Sequence, residues 1–483
     1  MTARSRLAWY RGKEIHVLGF SGTEGSAVID FLVGRGITTI TAHALHGPEE
    51  FEREFDRTHP WLPPGPRREA AARLLAYPIT FRWRDRYLEG LERAEVIFVP
   101  QSWFRYPQNA PVARRAERGV PLSSMTHLFF EECPGPIIGV TGTNGKFTVA
   151  YLVHQMLQRT LGRAFFSGND RSHVPMLYFL DDLRPTDWLV LEISNRQLVG
   201  LPYSPRIAVV TNIAPHHLDD HGSFEAYVEA KAGILRHQGP EDVAVLNADN
   251  PHTKAMAAGA RNPYFFSRLG RVAPGAFIEA GSIVIVRGRL HQSLPVSLLR
   301  QPGAHAVENA LAAALTAALA GASAPAIAET LDEFRGLPYR LRLAAERGGV
   351  RFFEDSLATN PTAAAAAVAS MDRPFILIAG GARPQATPEQ FRPMADALRR
   401  SPVRAVLLIG ACAPQLAEAL AGLPVPVRTV GTLDRAVAEA TAAVRPGEAV
   451  LLSPGCESFD QFRDYRERGD RFIALVGQET QKV

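Results

Sequence analysis

Residues 137–157 read IIGVTGTNGKFTVAYLVHQML, and their spacing suggests phosphate chemistry. Gly142 and Gly145 lead into Lys146 between an apolar run and an amphipathic stretch, the setting a phosphate-binding loop needs. Glycines let the backbone approach a phosphate, a helix N-terminus favours the anion, and a lysine adds a point charge. The spacing is a shortened form of the common loop, because Val140 sits where its first glycine would be. A plain structural turn is the competing reading. Phe147 stands where such loops carry Ser or Thr, which removes a hydroxyl ligand for Mg2+ or phosphate.

Carboxylates and histidines follow at the ends of later apolar runs. Glu192, in VLEISNRQL, is suited to Mg2+, which prefers oxygen ligands, or to a capping role. The stretch TNIAPHHLDDHGSF brings together His216, His217, Asp219, Asp220 and His221. Such a set looks metal-like without demanding zinc, and it could equally meet phosphate and Mg2+. Lys231 falls on the next helical stretch, where a solvated lysine is the ordinary alternative.

These residues need elements to position them. Short apolar runs recur along the chain, among them EIHVLGF, EVIFVP, PIIGVTG, WLVLEIS, IAVVTNI, DVAVLN, FILIAGG, RAVLLIG and AVLLSPG. Helical patterns lie between them; Val149, Leu152, Val153, Met156 and Leu157 share one helix face. Unbroken apolar strands alternating with amphipathic helices predict α/β architecture with parallel sheets covered on both faces. Ligands then bind beyond the carboxyl ends of strands, where the candidate residues lie. At roughly 100–200 residues per domain, 483 residues predict three domains. The boundaries are read as 1–133, 134–336 and 337–483, with HGPEEFEREFDRTHPWLPPGPRRE as a surface insertion in the first.

Composition narrows the class. Hydrophobic residues make up 46% and charged residues 21%, ordinary for a globular protein with a sizeable core. The net charge of +4 is scattered rather than gathered into a basic stripe, so no nucleic acid partner is expected. Three cysteines, Cys133, Cys412 and Cys456, show no metal spacing, which argues against a disulfide framework and fits a reducing cytoplasm. The N-terminus lacks a signal-like apolar region, and no apolar run reaches the ~20 residues needed to span a bilayer. A cytoplasmic monomer without membrane insertion is the expectation.

Taken in order, these segments resemble the Mur ligase family. The resemblance continues in NADNP, GAHAVENALAAAL, LPYRL, EDSLATNPTA and LLSPGCESFDQFRDYRERGDRF, the last being similar to the glutamate-adding branch. It implies a Rossmann-like N-terminal domain that binds a UDP precursor, a central P-loop-type ATPase and a Rossmann-like C-terminal domain. It also implies ATP-dependent joining of an amino acid, D-glutamate before L-glutamate, to UDP-N-acetylmuramoyl-L-alanine through an acyl phosphate. Domain closure would complete such a site.

The family's functional residues map onto this sequence as follows. Gly142, Thr143, Asn144, Gly145, Lys146 and Thr148 would hold ATP phosphates. Asn309, Arg340 and Asp355 would complete the nucleotide site. Glu192, His217 and Thr148 would organise Mg2+, joined by Lys231 carboxylated on its side-chain nitrogen. Gly22, Thr23, Asn169, Ser194 and Gln197 would meet the UDP precursor, and Thr359, Ser458 and Tyr465 the amino acid.

Several positions depart from the family pattern. Besides Phe147, Ala306 replaces an asparagine, Tyr339 a histidine and Leu357 a lysine, while Val99, Pro100 and Gln101 replace Ser-Pro-Gly. Pro384 occupies a lysine position, and Arg383 beside it is the expected substitute anchor for a substrate carboxylate. An active ligase with a divergent site is therefore weighed against a catalytically weak paralogue with a binding or regulatory role. A folylpolyglutamate-synthase-like ligase fits the C-terminal segment poorly.

Overall fold

A computed structural model describes residues 6–169, 173–214, 223–288, 290–301, 303–383 and 386–477. Its strands form three sheets, and parallel pairs dominate each. The alternation of apolar runs and helical stretches thus yields the α/β class expected from it.

In the first sheet all five strands are parallel. Their order is Thr80–Trp83, Ile40–Ala44, Ile15–Leu18, Val96–Phe98 and Leu122–Ser123. Ile15 pairs with Ile40 on one side and Val96 on the other, so chain order reverses at this central strand. A crevice for ligand opens beyond the carboxyl ends of strands at such a reversal.

The second sheet runs Leu290–Pro295, Ser282–Arg287, Gly275–Glu279, Asn262–Ser267, Val243–Asn247, Ile207–Val210, Ile137–Thr141, Trp188–Glu192 and Ala164–Ser167. Every pair from Ala164–Ser167 to Gly275–Glu279 is parallel, and Ser282–Arg287 then returns antiparallel. All five residues of Ile137–Thr141 are buried, which explains an apolar run without alternation. Helix Lys146–Leu161 follows and buries Val149, Leu152, Val153, Met156 and Leu157, the face its spacing predicts.

The third sheet is ordered Arg342–Arg347, Val350–Glu354, Ala449–Leu452, Phe375–Gly380, Val403–Ile409 and Val427–Gly431. Only its first pair is antiparallel. Successive residues feed opposite cores: Phe353, Leu377, Leu408 and Leu451 face one, and Phe352, Ile376, Leu407 and Val450 the other. The chain divides into two compact units, Met1–Leu294 with Glu308–Ile327, and Pro295–Val307 with Ala328–Val483.

The charged stretch around residues 46–69 is more than a surface insertion. It forms helices Phe51–Thr58 and Pro64–Leu75, whose Phe51, Phe55 and Leu74 join the core. Those few apolar residues recur at helical spacing, and the charges around them masked the pattern. Among the described residues no helix is long and apolar enough to cross a membrane.

Candidate active site

Strand Ile137–Thr141 turns through residues 142–145 into helix Lys146–Leu161. Gly142 and Gly145 have φ of 143° and 81°. A Cβ at Gly142 would strike Thr211 Oγ1, and one at Gly145 would strike Asn309 Oδ1, so both positions require glycine. The end of the neighbouring strand shapes the turn. Thr143 N donates to Asn212 O at 2.8 Å and Asn144 N to Asn212 Oδ1 at 2.9 Å. Thr211 Oγ1 donates to Asn144 O at 2.6 Å. Sequence reasoning missed Thr211 and Asn212, although they follow a buried strand just as Glu192 does.

Two lysines converge on this turn. Lys146 Nζ donates to Thr143 O at 3.1 Å and stands 4.0 Å from Glu192 Oε1. Lys231 Nζ donates to Gly142 O at 2.8 Å and lies 4.9 Å from the Tyr227 ring centroid. Lys231 is 1% exposed, which excludes the solvated-helix reading. Burial, reinforced by the Lys146 charge and opposed by Glu192, brings its pKa down to about 7. The Tyr227 hydroxyl lies 3.0 Å from Thr143 Oγ1, joining the Lys231 helix to the turn. Thr148 is half-buried in the first turn of its helix, and Asn309 lies against Gly145.

Phe147 turns into an aromatic cluster. Its ring centroid is 5.3 Å from Phe166 and 4.9 Å from His173, and it stacks on Tyr151 at 6.4 Å. The absent hydroxyl is thus replaced by packing against strand Ala164–Ser167. His217 and the other residues of HHLDDH lie outside the described residues. Among the described residues no group of three His, Cys, Asp or Glu side chains could hold a metal ion.

A cavity of about 540 Å³ opens at the carboxyl ends of the first sheet. Gly22, Thr23, His46, Arg57, Gln101, Trp103 and Tyr106 are among its lining residues, so Gly22 and Thr23 lie in this cavity. Asn169 N donates to Glu192 Oε2 at 3.1 Å. Ser194 caps the short helix Asn195–Leu198 reciprocally with Gln197, whose Oε1 accepts from Ser194 N at 2.9 Å. The Gln197 oxygen is therefore folded back on its own helix.

The second unit gathers the remaining candidates. Asp355 Oδ1 accepts from Leu341 N at 3.0 Å and Oδ2 from Ser453 Oγ at 2.7 Å. Burial lifts its pKa to about 7. It thus braces the turn carrying Arg340, which is exposed, while Tyr339 and Leu341 adopt positive φ. Ser458 is buried, whereas Thr359, Arg383 and Tyr465 are half-buried. Ala382 N donates to Glu457 O at 2.8 Å, which sets Arg383 beside the loop that bears Ser458. Arg468 was not anticipated. It is 1% exposed and donates to the carbonyls of Ser356, Cys456 and Glu457, bolting the two candidate loops together.

Comparison with known proteins places this geometry. The Mur ligase middle domain model matches residues 140–317, and the Mur ligase, glutamate ligase domain model matches 339–456. A UDP-N-acetylmuramoylalanine--D-glutamate ligase of Symbiobacterium thermophilum is 36% identical over 94% of this chain and 96% of its own. The enzyme of the same name from Acidobacterium capsulatum is 36% identical over 96% of both chains. Among solved structures, a UDP-N-acetylmuramoyl-L-alanyl-D-glutamate--2,6-diaminopimelate ligase superposes with a TM-score of 0.56 at 18% identity, covering 91% of this chain and 92% of the other. The UDP-N-acetylmuramate-alanine ligase of Thermotoga maritima gives 0.52 at 17% identity, covering 96% and 99%. These two likenesses bear on the fold, whereas the curated relatives extend over nearly their full length. With both domain models matched as well, this chain belongs to the Mur ligase family.

Proposed function

We propose that this protein is the cytoplasmic ATP-dependent ligase that joins D-glutamate to UDP-N-acetylmuramoyl-L-alanine in peptidoglycan precursor synthesis. The observation that carries the reading is the turn at 142–145, gripped from two sides by Lys146 and the buried Lys231 and faced by Glu192. Extended similarity to relatives that bear the D-glutamate ligase name supports the substrate assignment. On this reading 1–133 is the precursor domain, 134–336 the ATPase and 337–483 the amino-acid domain.

The residues present fit ATP. Two glycines that admit no side chain, a helix N-terminus and a lysine make a cradle for phosphates. Lys146 would neutralise charge on the phosphoryl group as it passes to the alanyl carboxylate, with ADP leaving. The amine of glutamate then attacks the acyl carbon, phosphate departs with the former carboxylate oxygen, and the nitrogen loses a proton to give the amide. Glu192, Thr148 and Lys231, once carboxylated, would supply oxygen donors for Mg2+, with His217 as the further ligand the family pattern implies. Bound there, Mg2+ would supply positive charge to offset that of the phosphates. Carboxylation joins the Lys231 amine to CO2 with loss of one proton, which requires the neutral amine that burial favours. Asn309, against Gly145, would meet the nucleotide. Arg340 and Asp355 would approach it from the C-terminal domain, while Asn169, Ser194 and Gln197 meet the precursor.

Glutamate needs a cation in its pocket, because a buried unpaired carboxylate is costly. Leu357 and Pro384 stand at the family's lysine positions. Among the described residues Arg383 has no carboxylate within ion-pairing distance, and it borders the Ser458 loop. We assign it as the anchor, with Thr359, Ser458 and Tyr465 completing the pocket. Arg383→Ala is expected to raise the KM for D-glutamate about tenfold or more while that for ATP moves less than about threefold. Equal changes in the two constants, or acceptance of only neutral or cationic amino acids, would remove glutamate as the substrate.

A further inference from the structure

Gln101 stands where the family pattern has the glycine of Ser-Pro-Gly, and nothing above uses its side chain. It follows strand Val96–Phe98 at the reversal point of the first sheet and lines the cavity there. Its backbone N–H donates at 2.8 Å to Glu24 Oε2, from the first turn of helix Thr23–Gly34. That bond fixes the direction in which the carboxamide leaves the chain. Nε2 then donates to Asn169 Oδ1 at 3.3 Å, and Oε1 accepts from Ser194 Oγ at 2.8 Å. Asn169 and Ser194 follow neighbouring strands of the second sheet, Ala164–Ser167 and Trp188–Glu192.

From this carboxamide the phosphate turn is only two residues away. Asn169 N donates to Glu192 Oε2, and Glu192 Oε1 stands 4.0 Å from Lys146 Nζ. A precursor with its nucleotide in the first-sheet cavity and its carboxylate at Lys146 must cross the line from Gln101 to Glu192. We infer that Gln101 is a specificity-determining residue that reads the amide-bearing middle of the precursor, between nucleotide and reacting carboxylate. The inference rests on the precursor assignment made above.

The chemistry is an exchange of amides. Gln101 offers one N–H donor direction and one carbonyl acceptor, now matched by Asn169 Oδ1 and Ser194 Oγ. A substrate amide presents the same complementary pair. Its carbonyl can accept from Gln101 Nε2 or Ser194 Oγ, and its N–H can donate to Gln101 Oε1 or Asn169 Oδ1. Ser194 Oγ carries a single proton, already shared between Gln101 Oε1 at 2.8 Å and Gln197 Oε1 at 3.1 Å. The hydroxyl can therefore change partner by rotation alone. Bonds are swapped rather than lost, so an amide ligand enters at little cost. A ligand that occupies the same place without an amide separates these groups and returns no bonds to them, so it is disfavoured.

Calorimetric titration with UDP and with UDP-N-acetylmuramoyl-L-alanine separates the possibilities, using the full-length protein and its Gln101→Ala and Gln101→Glu variants. Both variants are expected to bind the precursor about tenfold or more weakly, and UDP alone within about threefold of the unmodified protein, with melting temperature and KM for ATP unchanged. Gln101→Glu keeps the side-chain shape but sets an acceptor against Asn169 Oδ1, so its loss reports recognition rather than packing. Equal weakening for UDP and precursor, or unchanged or tighter precursor binding, overturns the inference. Failure of the unmodified protein to bind the precursor overturns the substrate assignment beneath it.

Discussion

Two ammonium groups share the carbonyls of one short turn, Lys146 on Thr143 and Lys231 on Gly142. Their functions must diverge, because a buried cation beside another cation is unfavourable. Lys146 stands 4.0 Å from the Glu192 carboxylate, whereas Lys231 is held toward the neutral amine. In the proposed function, carboxylation would convert that amine into an anion and turn repulsion within the site into attraction. Lys231→Ala is accordingly expected to cut kcat by about a hundredfold or more, with partial recovery on adding a short carboxylic acid that fills the vacated space. Dose-dependent phosphate release with acetate or propionate is the readout. Full activity in the variant, or no recovery at any acid concentration, contradicts the carboxylated state.

At the scale of elements, helix Lys146–Leu161 does two jobs from its first turn. Lys146 points into the phosphate turn, and the next residue, Phe147, packs on Phe166 and His173 outside it. Phe147→Ser is therefore expected to cost about 1–3 kcal/mol, less than a fully buried Phe truncation, with Mg2+ dependence unchanged. Thermal melts beside a Mg2+ titration check this. An unchanged melting temperature with a strengthened Mg2+ response contradicts the packing role. The helix face, the glycine turn and the buried strands were legible because each leaves a local pattern of period, glycine or apolar run. The destination of Phe147 was not, since it depends on Phe166 and His173, which are distant in sequence. Gln101 and Arg468 escaped for the same reason. Asn169 is 68 residues from Gln101 and Ser356 is 112 from Arg468, and a lone glutamine or arginine carries no spacing signal.

For the whole molecule, the parallel-rich character of the sheets was readable from the recurring apolar runs, whereas their antiparallel strands were not. A strand such as Ser282–Arg287, next to the edge, has no helix before it, so it escapes a pattern built on strand and helix alternating. In the proposed function, the cavity beyond the first sheet, the phosphate turn in the second and the Arg383 and Ser458 loops around the third would each hold one component of the reaction. The central claim is that these sites serve one reaction, ligation of D-glutamate to UDP-N-acetylmuramoyl-L-alanine. Phosphate release measured with ATP, Mg2+, that precursor and a panel of D- and L-amino acids tests it most directly. Release is expected only when precursor and D-glutamate are both present, with one amide product formed for each phosphate. Release that favours L-glutamate or a non-acidic amino acid, or none with any glutamate, would contradict the account.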